Sequence, residues 1–308
     1  MEKSLKILWV ISIIITQQLA FWVDASHSRK RIVPALYVFG DSTVDVGNNN
    51  NLNTLAKANA FPYGIDFNNC STGRFSNGKT FVDLIAIRLA LPMPPPYLGV
   101  PKSERHQVVT RINYASRSCG ILNSTRAKMF YITFIKYMNK TTYIIFKKKY
   151  ADYLLEQLAS RIKRIYMLGA RKFVVSRIGQ IGCTPAFVIR TPYSQKCNED
   201  INQKVKHYSD KLLGKLQELQ TQLSNSLFIN MDNYNFSEKI RNSPENFGFK
   251  IIFAPCIQGR KPCANRNEYY FFDVAHPTEA TNKIYANECF SGTQLCLPYN
   301  IQKLIHAH

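Results

Sequence analysis

The chain has 308 residues, of which 45% are hydrophobic and 19% are charged, and this is a globular composition. The formal net charge is +20, because 40 Lys and Arg residues outnumber 20 Asp and Glu residues. A basic chain can bind nucleic acid, but no zinc-finger, aromatic RNA-binding or helix-turn-helix pattern accompanies the charge here. The strongest basic run, Lys147–Lys149, adjoins an amphipathic segment and indicates a solvated face; contact with an acidic cell wall or membrane surface is the alternative.

The N-terminus has the order of regions that is typical of a secretion signal. Lys3 and Lys6 precede the apolar run "ILWVISIII", and the small residues of "VDAS" follow it. The apolar run is too short to span a bilayer comfortably, and a buried N-terminal helix is the alternative interpretation. The pattern predicts a signal peptide at residues 1–25, secretion of the mature protein, and one domain at residues 26–308.

The cysteines and the Asn-x-Ser/Thr sequons agree with an extracellular protein. All 8 cysteines lie beyond the predicted signal, at Cys70, Cys119, Cys183, Cys197, Cys256, Cys263, Cys289 and Cys296. An even number in an oxidising compartment permits disulfides, although the sequence leaves their connectivity open and shows no paired CxxC zinc pattern. The candidate glycosylation sites are Asn69, Asn123, Asn139 and Asn235.

Short apolar strands and amphipathic helices follow one another along the first half of the chain. The segment "PALYVFGDS" predicts a strand that runs into a Gly-Asp turn. Next, "TFVDLIAIRLAL" predicts a helix that ends at the prolines of "PMPPPYLG", and "RINYAS" resembles a second strand. The segment "YADYLLEQLASRIKRIYMLGA" then predicts a helix that ends at Gly169. Its apolar face consists of Leu154, Leu155, Leu158, Ile162 and Ile165.

The second half repeats the alternation. A β-branched strand at "RKFVVSRI" precedes a helix around "HYSDKLLGKLQELQTQL" and another strand at "SLFINMD". Strands that alternate with amphipathic helices predict a parallel sheet covered on both faces. With no clear linker or internal repeat, the sequence predicts one α/β domain.

The tip of the first predicted strand reads "FGDSTVDVGNNN". Ligands of doubly wound sheets bind beyond the carboxyl ends of the strands, so Ser42 lies where a nucleophile would be useful, and Gly40 permits a tight turn before it. The simpler interpretation is that Asp41 or Ser42 caps a helix. This motif alone does not decide between the two.

A second motif, "FFDVAHPTEATNKIYA", lies near the other end of the chain. The spacing of Asp273 and His276 lets the carboxylate orient one imidazole nitrogen while the other nitrogen faces a serine. A neutral histidine can take the serine proton and later protonate a leaving alcohol. Alone, the motif would indicate a surface histidine beside a helix-capping Thr278; together with Ser42 it indicates nucleophilic catalysis.

In their order along the chain, four blocks identify a resemblance. They are "YVFGDSTVDVGNNN", "NYASRSCGIL", "LGARKFVVSRIGQIGCTP" and "DVAHPTEATNKIYA". The chain resembles plant GDSL-type esterases/lipases of the SGNH hydrolase superfamily. The resemblance implies a flavodoxin-like three-layer α/β/α sandwich with a central parallel sheet. It also implies hydrolysis of acyl or other carboxylic esters, including lipids, without metal or organic cofactor.

The resemblance further assigns roles by position. Ser42 would be the nucleophile, His276 the general base and Asp273 the carboxylate that orients it. The backbone amides of Ser42 and Gly120 would donate to the oxyanion, and loss of one such donor typically lowers the rate on the order of 100- to 1000-fold. At Arg117 the family prefers a small residue, so a cation is expected near the oxyanion hole.

The third family donor, an asparagine in a Gly-x-Asn-Asp motif, has no clear counterpart. Aligning "FYITFIKYMN" with the family strand places Ile135, Tyr137 and Met138 at the glycine, asparagine and aspartate positions. A shift by two would offer Asn139, but it breaks the match of the apolar residues, and a sequon asparagine suits a surface better. The sequence therefore predicts a weakened oxyanion hole.

The segment between the second and third blocks is also shorter than in the family, and a shorter loop is expected before "KPCANRNEYYFF". Loss of a loop is easily tolerated, whereas loss of a helix exposes the apolar face that it covered. Three interpretations follow. The chain is a secreted ester hydrolase with reduced activity, a binding protein on the same fold, or the product of a truncated gene model.

Overall fold

The computed structural model describes residues 32–122, 140–191, 194–259 and 261–307. Several predicted features fall outside these ranges. They are the signal peptide at residues 1–25, the strand at Phe130–Asn139, and the sequons at Asn123 and Asn139.

The described ranges contain short strands and longer helices. The strands are β1 (Leu36–Val38), β2 (Arg111–Asn113), β3 (Lys172–Ser176), β4 (Ile189–Thr191), β5 (Ser194–Lys196), β6 (Leu227–Met231), β7 (Ile251–Pro255), β8 (Ile257–Gln258), β9 (Lys261–Pro262), β10 (Tyr269–Phe271) and β11 (Cys296–Leu297). The α-helices are α1 (Phe81–Arg88), α2 (Lys140–Met167), α3 (Glu199–Gln222), α4 (Asn233–Asn242), α5 (Glu279–Ser291) and α6 (Ile301–His306). Each strand and helix predicted within the described ranges is present.

Three of the six strand pairs in the described ranges are parallel, and they include the longest one. Strand β1 pairs in parallel with β2, β3 with β6, and β7 with β10. The longest register runs from Lys172 opposite Leu227 to Ser176 opposite Met231. Strand β11 adds an antiparallel edge to β6, and β4–β5 and β8–β9 are small hairpins. Helix α1 lies between β1 and β2 in the sequence, and α3 lies between β3 and β6. This order of parallel strands and intervening helices confirms the predicted α/β class with parallel strands.

Helix α2 follows the predicted periodicity. Leu155 and Ile162 are buried against α3 and β6, and Leu154 and Leu158 pack beside them. The helix ends before Gly169, whose φ of 101° lies in the left-handed region that glycine adopts readily. The predicted helix end is therefore confirmed, and the burial of this apolar face fixes α2 and α3 on the same part of the sheet.

A buried ion pair fixes the start of α1. The carboxylate of Asp83 accepts two hydrogen bonds from the Arg74 guanidinium, both of 2.8 Å. It also accepts from the backbone amide and the hydroxyl of Thr80, again at 2.8 Å, which closes a capping box at the helix N-terminus. The Asp83 side chain is 0% exposed and that of Arg74 is 9% exposed.

Replacing Asp83 with alanine should destabilise the protein by about 3–5 kcal/mol, because it leaves the Arg74 guanidinium buried without a counter-charge. Urea unfolding of wild type and variant measures the difference. The matched control is Asp210→Ala, which removes an exposed pair with Lys206 on α3 and should cost under about 0.5 kcal/mol. Equal losses in the two variants would contradict the structural role of the buried pair.

Disulfides join cysteines that lie near one another in the sequence. The pairs are Cys183–Cys197, Cys256–Cys263 and Cys289–Cys296, while Cys70 and Cys119 are free and exposed. Each bond closes a short segment near the carboxyl ends of strands or at the end of α5. The sequence permitted disulfides, and the structure supplies the connectivity that the sequence could not.

Candidate active site

Ser42 lies in a turn beyond the carboxyl end of β1. The Asp41 carboxylate accepts hydrogen bonds from the amide and the hydroxyl of Thr43, at 2.9 and 2.7 Å. Gly40 is needed because an added Cβ would approach the Val44 side chain to 2.6 Å. No α-helix starts at this turn, so the interpretation of Asp41 or Ser42 as a helix cap is wrong. The Ser42 side chain is half-buried and remains reachable from solvent.

Asp273 and His276 lie in a tight turn between β10 and α5. Asp273 Oδ1 accepts from the backbone amides of Ala275 and His276, both at 2.8 Å. The carbonyl of His276 in turn accepts from the amide of Phe272 at 2.8 Å. Thr278 caps α5, as the alternative interpretation expected, but His276 is only 5% exposed and is not a surface histidine.

The fold brings these side chains together. His276 Nε2 lies 2.7 Å from Ser42 Oγ, and His276 Nδ1 lies 2.8 and 2.7 Å from the two oxygens of Asp273. An ionised carboxylate can only accept, so Nδ1 carries the proton. Nε2 is then left to accept the hydrogen of the Ser42 hydroxyl. This tautomer is the one in which an imidazole can take a proton from serine.

The Asp273 carboxylate is kept ionised. Burial alone would raise its pKa, but the hydrogen bond and charge of His276, the Ala275 amide and the Tyr63 hydroxyl together lower the pKa of Asp273 below its usual value. A negative charge therefore persists beside the imidazole over the whole neutral range. A carboxylate in this position can stabilise an imidazolium.

An aromatic ring packs against the imidazole of His276. The Phe75 ring packs against it with centroids 4.9 Å apart, and Phe75 is 2% exposed. The guanidinium carbon of Arg117 lies 4.7 Å from the centroid of the same phenyl ring. Arg117 was expected near the oxyanion hole, and the structure shows that its cation lies over Phe75. In the part of the site that the structure describes, an apolar wall therefore lies next to a positive charge.

Buried polar side chains anchor the loop after β2, where Gly120 was predicted as the second oxyanion donor. Asp45 accepts from the amide of Arg117 at 3.0 Å, and Ser116 donates through its hydroxyl to Asn49 at 2.6 Å. The Ser116 amide donates to the carbonyl of Gly40 at 3.1 Å, which holds this loop beside the Ser42 turn. Gly120, the predicted second donor, is exposed farther along the loop, and its role stays a prediction.

Sequence reasoning missed Asp45 and Asn49. Burial raises the pKa of Asp45, while amide hydrogen bonds from Gly47, Arg117 and Asn48 oppose this effect. The signal was present as the polar run "DVGNNN", which begins three residues after Ser42. A polar run usually indicates an exposed loop, and only the fold shows that these residues are buried to support the site.

Two of the predicted glycosylation sites are described, and both asparagines are exposed. Asn69 lies in a loop with a φ of 55°, while Asn235 lies in α4 and donates its side-chain nitrogen to Asp232 at 2.8 Å. Within the described ranges, no helix is long and apolar enough to cross a membrane.

This serine, histidine and aspartate arrangement, at the carboxyl ends of parallel strands, defines the geometry of a serine hydrolase site. Residues 36–289 match the GDSL-like Lipase/Acylhydrolase family. The chain is similar to GDSL esterase/lipase At1g71691 of Arabidopsis thaliana, with 33% identity covering 89% of this chain and 86% of the relative. It is also similar to GDSL esterase/lipase 7 of Arabidopsis thaliana, with 33% identity covering 88% and 92%. The chain belongs to the GDSL-like lipase/acylhydrolase family, as the resemblance predicted.

The alignments also bear on the shortened segments. The alignment with the first relative extends over 333 positions, and the one with the second over 335, although this chain has 308 residues. Each alignment must therefore contain gaps in this chain. Such gaps agree with the prediction that the chain lacks segments common in the family.

Proposed function

We propose that the protein is a secreted serine ester hydrolase in which Ser42, His276 and Asp273 form the catalytic triad. The observation that carries this proposal is the continuous contact from Ser42 Oγ through the imidazole to the Asp273 carboxylate, with each contact between 2.7 and 2.8 Å. Membership in an esterase/lipase family supports a carboxylic ester or lipid substrate. We also propose that the chain adopts the flavodoxin-like three-layer α/β/α sandwich expected of that family.

The reaction follows from the protonation states. Ser42 Oγ attacks the ester carbonyl carbon while His276 Nε2 takes its proton, and the resulting imidazolium is stabilised by Asp273. The imidazolium then gives this proton to the leaving alkoxide, which departs as an alcohol and leaves an acyl-serine. The same nitrogen then takes a proton from a water molecule while the water oxygen attacks the acyl carbon of the acyl-serine. The bond between this carbon and Ser42 Oγ breaks, the imidazolium returns the proton to Oγ, and the carboxylic acid is released. No step requires a metal or organic cofactor.

The negative oxygen of each tetrahedral intermediate needs donors. The amides of Ser42 and Gly120 are proposed for this role, since the loop after β2 is bonded to the Ser42 turn. The third donor of the family is absent from the alignment that places Ile135, Tyr137 and Met138 in its motif. We therefore expect a turnover below that of relatives with the complete motif, rather than none.

Exposed apolar side chains lie beside the proposed triad. Val274, between Asp273 and His276, is 54% exposed, and its carbonyl accepts from the Ala186 amide at 2.9 Å. Phe187, the next residue, is 48% exposed. This apolar rim supports an ester whose acyl or alcohol part is hydrophobic.

Secretion is supported by the signal-like N-terminus and by the disulfides, which persist in oxidising compartments. Asn69 and Asn235 are proposed as glycan acceptors, together with Asn123 and Asn139. Of the two described sites, Asn69 suits glycosylation better, because the Asn235 side-chain nitrogen is already engaged. The net charge of +20 supports electrostatic contact with an acidic cell wall or membrane surface.

Recombinant mature protein should hydrolyse p-nitrophenyl acetate and p-nitrophenyl hexanoate, with the apolar rim favouring the hexanoate. A fluorophosphonate probe should label the protein, and mass spectrometry of the digested protein should place the label on Ser42. The probe needs an activated serine and tests the triad independently of substrate choice. A folded protein that is neither labelled nor hydrolytic would contradict the proposal and favour the interpretation as a binding protein.

A further inference from the structure

Tyr63 contacts the carboxylate of the proposed triad. Its hydroxyl donates to Asp273 Oδ2 over 2.7 Å, although the two residues lie 210 positions apart. The other oxygen, Oδ1, accepts from the amides of Ala275 and His276. In the part of the chain that the structure describes, Tyr63 is thus the one side chain besides His276 that donates to Asp273.

Buried rings fix the position of the Tyr63 phenol. It packs edge-to-face on Phe75 and Phe272, with centroid distances of 5.9 and 5.7 Å. Phe272 is 0% exposed and directly precedes Asp273, while Phe75 packs against the imidazole of His276. The same rings therefore contact the phenol and border both members of the Asp-His pair.

The loop that carries Tyr63 is also bonded to the segment around the Asp-His turn. Asp66 accepts two hydrogen bonds, at 2.6 and 2.8 Å, from Arg266, which lies just before β10 in the sequence. Beyond the turn, the Glu279 amide donates to the Asn77 side chain at 2.8 Å. These bonds fix the loop of Tyr63 to residues that come before and after the Asp-His turn in the sequence. The Tyr63 contact with Asp273 is therefore supported on both sides.

We propose that Tyr63 is a positioning residue for the reaction. Its hydroxyl holds one oxygen of Asp273, so that the carboxylate stays aligned with His276 Nδ1 and keeps its negative charge when the imidazolium forms. Tyr63 acts through Asp273 and not on the substrate. This inference rests on the proposed function, because it assigns Tyr63 a part in that reaction.

The chemistry of the phenol suits this role. Burial and the adjacent Asp273 carboxylate raise the pKa of the Tyr63 hydroxyl far above its usual value, so it keeps its proton and can only donate to the carboxylate. A donated hydrogen bond lowers the affinity of the carboxylate for further protons. The Arg117 guanidinium, which lies over Phe75, also favours negative charge on this side.

The variant Tyr63→Phe keeps the ring and its packing but removes the hydroxyl. Without this donor, Asp273 should bind the imidazolium proton more tightly and be less well oriented. We expect kcat to fall about 10-fold at unchanged KM, since hydrogen bonds to charged groups are among the stronger ones. The acid limb of the kcat/KM profile should move to higher pH by about 0.5–1 unit.

The matched control is Tyr285→Phe. The Tyr285 hydroxyl pairs with that of Tyr270 at 2.6 Å in the core, so the control loses a buried hydrogen bond without contacting the triad. Its kcat and pH profile should equal those of wild type. If the two substitutions only lowered stability, the pH profile of kcat/KM would stay at its wild-type position in both variants.

A second measurement needs no turnover. The low-field proton NMR signal of His276 Nδ1, identified by its absence in His276→Asn, reports the hydrogen bond to Asp273. It should shift in Tyr63→Phe and stay in place in Tyr285→Phe. An unshifted signal in folded Tyr63→Phe protein overturns the role of Tyr63. If wild type hydrolyses no ester, the proposed function fails separately, and the NMR signal still decides about Tyr63.

Discussion

Ser42→Ala is expected to lower kcat/KM for p-nitrophenyl hexanoate on the order of 10³- to 10⁵-fold, to near the rate of an inert protein. The alanine keeps the turn beyond β1 but removes the oxygen that is proposed to attack the carbonyl. In wild type, His276 Nε2 lies 2.7 Å from the Ser42 hydroxyl. In the variant this nitrogen has no serine proton to accept. Initial rates with purified protein, and loss of fluorophosphonate labelling, measure the effect.

Ser291→Ala is the matched control for the serine substitution. Its hydroxyl donates to the Asn287 carbonyl within α5 at 3.2 Å and is exposed. This variant should retain wild-type kcat/KM and stay labelled by the probe. Residual hydrolysis by Ser42→Ala equal to that of wild type would show that another group, or a contaminating esterase, produces the activity.

The helices and strands could be predicted from the sequence because the local sequence signals agree with the global fold. Apolar periodicity predicted α2 from Tyr150 to its end at Gly169, although the helix begins earlier, at Lys140. A β-branched run predicted β3, and the segment "SLFINMD" predicted β6. These signals are local consequences of burial, so each element could be predicted without knowledge of its partners. The register of Lys172 against Leu227 was not predictable, since it depends on which strands become neighbours.

Only part of the candidate site could be predicted from the sequence. Ser42, Asp273 and His276 lie in motifs whose residue types and order carry chemical meaning, and the structure brings them into contact. Tyr63 and Asp45 carried no comparable signal. One is a tyrosine in an ordinary loop, and the other an aspartate in a polar run, and only the fold reveals what each contacts.

The disulfides show the same limit. Cys256 and Cys263 are separated by 7 residues. This spacing suggests a disulfide only once the fold has placed the two strands of the β8–β9 hairpin side by side. The free Cys70 and Cys119 were equally eligible by sequence. Pairing depends on the distance between backbones, and sequence spacing does not report that distance.

Asp273→Asn should lower kcat about 10³- to 10⁴-fold while leaving KM nearly unchanged. The amide can donate to His276 Nδ1, which favours the tautomer with its proton on Nε2 and prevents this nitrogen from accepting the Ser42 proton. The substitution also removes the charge that stabilises the imidazolium. Steady-state kinetics measure the loss, and Asp152→Asn, which alters an exposed pair with Lys211, should leave kcat unchanged.

The same substitution has a pH signature in stability. The pKa of Asp273 is lower in the folded protein than its ordinary value, so ionised Asp273 stabilises the fold above about pH 4. This contribution is lost as the pH falls through the folded pKa, and Asp273→Asn never has it. Urea unfolding should therefore show a stability advantage of wild type at pH 7 that shrinks in acid. An advantage that is constant with pH would mean that folding does not lower the pKa of Asp273, and that this side chain contributes to stability by packing alone.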